Sequence, residues 1–84
     1  MTRTPYADGS ALIITAQGCF PCKKTKEAFE KAGMSYHERA LESLTEEEYD
    51  EYIKSNNFGS APVVFTLDDA WSGLQPGKLK ALKG

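Results

Sequence analysis

The run ALIITA, Ala11 to Ala16, is followed within three residues by the first cysteine of a Cys-x-x-Cys pair, and then by a charged stretch with apolar residues at helical spacing. A short, almost wholly apolar run of β-formers predicts a buried central strand. Gly18 and Pro21 punctuate GCFPC as a loop. The helix that follows is predicted from about Pro21 to Ala32, with Gly33 as its C-terminal stop. Cys22, Thr25, Phe29 and Ala32 share its inward face. Lys23, Lys24, Lys26, Glu27, Glu30 and Lys31 fall mostly outside that stripe.

The remaining patterns extend this unit. MSYHERAL, Met34 to Leu41, alternates and predicts a second, more exposed strand. Thr45 followed by Glu48 is a capping box, opening a helix to about Ser55 with Tyr49, Tyr52 and Ile53 turned inward. NNFGSA is a loop. PVVFTL, Pro62 to Leu67, is a third strand that opens on proline, a position a strand tolerates. Asp68 and Asp69 make a tight turn, AWSG returns as a short fourth strand, and QPGKLKALK closes as a helix with Pro76 in its first turn. The order is β-α-β-α-β-β-α. Strand–helix–strand requires a right-handed crossover and a parallel pair, whereas the last two strands form an antiparallel hairpin. An α/β domain with a mixed four-stranded sheet and three helices on its two faces satisfies both. With 84 residues and no linker, repeat or low-complexity tract, one domain over 1–84 is expected.

Charge and composition exclude several functions. A net charge of -2 gives no field suited to a nucleic-acid backbone. No run approaches the roughly 18 apolar residues of a membrane span. MTRTPYADGS lacks the apolar core of a signal peptide, so the expected compartment is a reducing cytoplasm, where two cysteines do not make a disulfide scaffold.

Three readings of the cysteines compete. A structural zinc wants four ligands; the chain offers Cys19, Cys22 and one histidine, His37, on a different strand, and would need a site shared across a dimer. A staple closing so short a loop restricts the unfolded chain very little. A redox pair fits the placement. Cys19 precedes the helix, where free N–H groups and the helix dipole favour a thiolate, and Lys23 and Lys24 add positive charge. Cys22 belongs to the inward stripe and is sheltered. Thiol–disulfide exchange needs such an exposed attacker and sheltered partner.

The strand–CxxC–helix unit, SAPVVF and the element order together resemble the thioredoxin fold in its short, glutaredoxin-like form. APVV followed by AWSGLQPGKLKAL is similar to the NrdH-redoxins, whose pattern is Trp-Ser-Gly-Phe and then Arg-Pro; the resemblance runs from about Leu12 to Leu82. It implies a dithiol–disulfide electron carrier with no cofactor beyond a redox-active Cys19–Cys22 disulfide. Thioredoxin reductase would be its donor, and class Ib ribonucleotide reductase or another disulfide-bearing protein its acceptor. It further implies that Cys19 attacks and Cys22 resolves, that Pro62 is the cis-proline facing the cysteines, and that Trp71, Ser72 and Gly73 match the signature. The chain departs from the pattern at Phe20-Pro21 between the cysteines, and at Leu74 and Gln75, where the signature has Phe and Arg.

The expected contact surface is then Phe20, Pro21, Ala61, Pro62, Trp71, Ser72 and Gly73. A cis bond at Pro62 would leave the Ala61 backbone free to pair with an extended substrate segment. Phe20 is hard to bury on its loop; Trp71 suits core and contact surface equally. His37 reads as a surface or half-buried strand residue. Lys23, Lys24, Lys26, Lys31, Lys78, Lys80 and Lys83 outnumber Glu27 and Glu30 on the first and last helices, which favours an acidic partner. A monomer is expected, in a bacterial cytoplasm or that of a phage's host. The alternative is a glutathione-coupled glutaredoxin, though Gln17 and WSGLQ stand where glutathione binding usually wants a cation and a Gly-Gly-Asp turn. A zinc-binding or interaction module on the same fold is the remaining class.

Overall fold

The apolar run forms strand β1, Ala11–Thr15, with all five residues buried. The computed structural model describes residues 4–82. Helix α1, Phe20–Lys31, follows the cysteine loop and buries Cys22, Thr25 and Phe29, whereas Ala32, expected on the same face, is only half-buried as the cap residue. Gly33, at φ 71°, ends the helix. Its N–H donates to Glu30 O at 3.1 Å and the Met34 N–H donates to Phe29 O at 3.0 Å, the paired bonds of a Schellman stop. Those bonds hold Met34 outside strand β2, which spans Tyr36–Ala40 instead of the expected 34–41.

Helix α2, Glu46–Tyr52, opens on the expected capping box, with both reciprocal bonds between Thr45 and Glu48 present. It ends three residues early. The last turn tightens into a 3₁₀ turn, Lys54–Asn56, and Asn57 in the left-handed region at φ 59° blocks continuation. A second 3₁₀ turn, Leu41–Ser43, precedes α2. Of the three residues expected to point inward, Ile53 is buried and Tyr52 half-buried, but Tyr49 stays 38% exposed. Strands β3, Val63–Phe65, and β4, Ala70–Ser72, form the hairpin, closed by a Thr66–Asp69 turn. Helix α3 is short, Pro76–Lys80; the expectation for Lys83 lies outside the described residues.

The sheet order is β2-β1-β3-β4, with β1 and β2 parallel and the other two pairs antiparallel. Alternation along the strands splits the core into two. Ala11, Ile13, Phe29, Val64 and Trp71 pack on one face with Leu79 and Leu82. Leu12, Ile14, Ile53, Val63 and Phe65 pack on the other with Tyr52 and Phe58. The topology fixes where a site can form. Ile14 pairs with Val63, and Val63 with Ser72. The cysteine loop after β1, Pro62 before β3 and Gly73 after β4 therefore meet at one end of the sheet.

Candidate functional site

Gly18 adopts φ 68° just before the first cysteine, with no atom within 4 Å of where a Cβ would stand. This left-handed backbone, which glycine adopts without strain, turns the chain from β1 toward α1. Cys19 is the residue capping α1, and its sulfur accepts the Cys22 N–H at 3.1 Å. A side-chain sulfur occupying the N-cap sits among unpaired backbone N–H groups at the positive end of the helix dipole. Pro21 lies in the first turn, where its missing N–H costs nothing. Thr25 Oγ1 donates to Pro21 O at 2.9 Å and ties that turn down from below.

The two sulfurs are joined as a disulfide, with Cα atoms 5.3 Å apart. Their surroundings differ. Cys22 is 2% exposed, whereas Cys19 is half-buried at the rim. Phe20 is 63% exposed, with the Lys24 ammonium 5.4 Å from its ring centre. Pro21 is half-buried.

The Ala61–Pro62 peptide bond is cis, with Pro62 buried and Ala61 half-buried. Gly73 donates its N–H to Pro62 O at 2.8 Å, and at φ 77° this link favours glycine. Ser72 and Gly73 are half-buried beside that contact. Trp71 is different: it is 5% exposed and belongs to the core under α1 and α3. Its ring lines a recess by the Thr66–Asp69 turn, at the other end of the sheet. The structure brings Cys19, Cys22, Phe20, Pro21, Ala61, Pro62, Ser72 and Gly73 to one end and places Trp71 beneath.

Two features escaped the sequence patterns. Beside Ala61 runs a small apolar groove of about 80 Å³, lined among others by Tyr49, Ile53, Phe58 and Ala61. Tyr49 stands on the helical stripe read as core, so periodicity assigned it inward. On the opposite flank of the cysteines, Lys26 pairs with Glu38 at 3.1 Å, and Thr15 Oγ1 donates to the same carboxylate at 2.9 Å. Partial burial pushes the Glu38 carboxyl up, but the Lys26 and Thr15 hydrogen bonds outweigh it and hold it below the usual carboxylate range. The β1–β2 register sets Glu38 beside Ile13, a long-range fact no local pattern carries. His37 is exposed on β2 and stacks on Tyr6, ring centres 4.0 Å apart. Among the described residues no three His, Cys, Asp or Glu side chains are grouped to hold a metal ion. No helix of the described residues is long and apolar enough to cross a membrane.

The arrangement is similar to known proteins. The NrdH-redoxin of Escherichia coli, a glutaredoxin-like protein with a thioredoxin-like activity profile, superposes with a TM-score of 0.76 at 28% identity, covering 89% of this chain and 96% of its own. A glutaredoxin from Archaeoglobus fulgidus superposes with a TM-score of 0.67 at 26% identity, over 90% of this chain and 87% of its own. A thioredoxin-like protein at 23% identity and a TM-score of 0.71, over 87% of this chain and 99% of its own, shares the fold. No curated protein sequence matches the chain significantly. The glutaredoxin family model matches residues 11–71, from β1 through the cysteine pair to Trp71. The chain belongs to the glutaredoxin family, as a glutaredoxin-like thiol–disulfide redox protein of thioredoxin fold.

Proposed function

We propose that the protein is a single-domain, monomeric dithiol–disulfide electron carrier of the cytoplasm. It is recharged by thioredoxin reductase and delivers electrons to a ribonucleotide reductase of class Ib or a similar disulfide-bearing protein. The observation that carries this reading is the asymmetry of the pair: Cys19 at the rim on the helix N-cap, Cys22 buried behind it. The Cys19 thiolate attacks a partner disulfide. A Cys19–partner bond forms, the partner S–S bond breaks, and the leaving sulfur takes up a proton. Cys22 then loses its proton and attacks Cys19 Sγ, releasing the second partner sulfur as a thiol and closing Cys19–Cys22. Two electrons pass from the cysteine pair to the partner, with one proton from Cys22 and one from solvent. Phe20 and the Ala61 backbone are the contacts for the partner chain, with Pro21 and Pro62 shaping them. Gly73 holds the Pro62 carbonyl through its N–H, Ser72 pairs with Val63 beside it, and Trp71 anchors β4 in the core.

The likeness to the Escherichia coli NrdH-redoxin, with its thioredoxin-like activity profile, supports a thioredoxin reductase donor. So does Gln17, exposed and uncharged ahead of the cysteines, where glutathione binding would want a cation. The test supplies NADPH with either thioredoxin reductase or glutathione and its reductase, and follows reduction of the oxidised protein. Faster turnover with thioredoxin reductase is expected. Faster turnover through glutathione would replace this reading with that of a glutathione-coupled glutaredoxin. Support of ribonucleotide reduction by the reduced protein tests the acceptor.

A further inference from the structure

On the α1–β2 flank of the disulfide lies a recess of about 420 Å³, lined by both cysteines together with Thr15, Lys23, Lys26 and Glu38. Electron transfer through the cysteines does not by itself require this polar cluster. Lys26 Nζ reaches both Glu38 oxygens, at 3.2 and 3.1 Å, and Thr15 Oγ1 fixes the carboxylate from β1. The charged residues lining this recess with the two cysteines are Lys23 and Lys26 from α1 and Glu38 from β2, while β1 contributes Thr15. Lys24, the remaining cation of that turn, lies over the Phe20 ring.

A disulfide is neutral. Its two-electron reduction with one proton leaves one thiolate and one thiol, so only the reduced state responds to a nearby charge. A cation in the recess stabilises that state and makes the protein a stronger oxidant. An anion does the reverse.

We propose that Lys26 and Glu38 set the redox poise of the cysteine pair, Lys26 favouring the Cys19 thiolate and Glu38 opposing it by holding and neutralising that cation. Neither residue touches the reacting sulfurs in this account; both act through their charge. The inference rests on Cys19 being the thiol that ionises first.

Two substitutions of opposite sign test it. Glu38→Gln removes the anion and should lower the Cys19 pKa and raise the reduction potential. Lys26→Gln should do the opposite. A unit charge in a partly solvated recess changes the thiolate equilibrium by roughly threefold, which converts to about 14 mV for a two-electron couple. The Cys19 pKa is read from thiolate absorbance in the Cys22→Ser background. The potential is read against thiol–disulfide buffers in the protein with both cysteines. The Lys26→Gln/Glu38→Gln double variant should return near the parent, and 1 M salt should shrink both single shifts. Loss of a merely structural pair would instead move both single variants the same way, together with their thermal midpoints. A low Cys19 pKa unmoved by either change, or moved in one direction by both, overturns the proposal and leaves Cys19 as the attacking thiol. An ordinary Cys19 pKa that still splits in opposite directions unseats the attacking-thiol assignment and leaves the influence of the pair standing.

Discussion

Helices α1 and α2 lie on opposite faces of the same sheet and are held there by different forces. Helix α1 buries Cys22, Thr25 and Phe29, and Phe29 sits among Ile13, Val64 and Trp71. Helix α2 buries no residue of its own; Ile53, its cap residue, is the anchor. Tyr52, half-buried, adds a ring contact with Phe65, and the rest of its hold is polar. Thr45 and Glu48 cap each other, and Arg39 of β2 donates to both Glu48 oxygens, at 3.0 and 3.1 Å. The difference matches what each helix does at the site. The element that carries the sulfurs is fixed by packing, which specifies position tightly. The element that flanks the apolar groove with Tyr49 is fixed by caps and charges, which respond to pH and salt.

The largest effect that would sharpen this contrast is at Phe29. Phe29→Ala should cost about 3–5 kcal/mol, a large share of the stability of so small a domain. Denaturant midpoints would show it, and Phe29→Leu should give a clear but smaller loss if the alanine variant does not fold. Thr45→Ala should cost about 1 kcal/mol by removing the α2 cap, and should speed hydrogen exchange in α2 without altering thiol reactivity. A loss at Thr45 equal to that at Phe29 would erase the distinction.

Smaller effects come from pH, and they should separate the helices by direction. The Arg39 guanidinium and the Thr45 N–H hold the Glu48 carboxyl down at about 2, against an ordinary 4.5. A depressed carboxylate pKa contributes stability that is complete above the ordinary value and is lost as pH falls toward the folded one. Stability should therefore decline between about pH 4.5 and 2, and Arg39→Gln should flatten that slope in pH-dependent unfolding. On the α1 side, Tyr36 packs edge-on against Phe29 and donates to Glu30 at 2.7 Å. That bond, with partial burial, pushes the Tyr36 phenol up to about 12 from 10.0. A raised pKa contributes stability present below pH 10 and lost as pH rises through about 12, and Tyr36→Phe should remove this alkaline slope.

Much of this was legible in the sequence because its signals are local. ALIITA, the Thr45–Glu48 box, Gly33 and the Asp68–Asp69 turn each carry their own physics within a few residues, and each element formed where its signal stood. What was not legible depends on distant parts of the chain. Tyr49 obeys the helical stripe, yet α2 rests on the sheet through Ile53, leaving Tyr49 at the groove. The Lys26–Glu38 pair exists only because a parallel register sets Glu38 beside Ile13. Trp71 could be read as core or contact from its position after a turn; Leu79 of α3 and Leu82 just after it pack against the cluster that holds it. The early end of α2 comes with the tightening into the 3₁₀ turn Lys54–Asn56, which Asn57 closes in the left-handed region, a conformation asparagine tolerates but does not announce.

Disulfide exchange by this pair rests on the asymmetry between a rim sulfur on the helix cap and a buried sulfur behind it. The direct measurement compares the reduced Cys22→Ser and Cys19→Ser proteins, each mixed with insulin as a protein disulfide and quenched by alkylation at intervals. The Cys22→Ser protein should accumulate a stable mixed disulfide through Cys19, because no second thiol remains to resolve it, and the Cys19→Ser protein should accumulate almost none. Equal trapping in both variants, or trapping through Cys22 alone, would contradict the assignment of Cys19 as the attacking thiol and Cys22 as the resolving one.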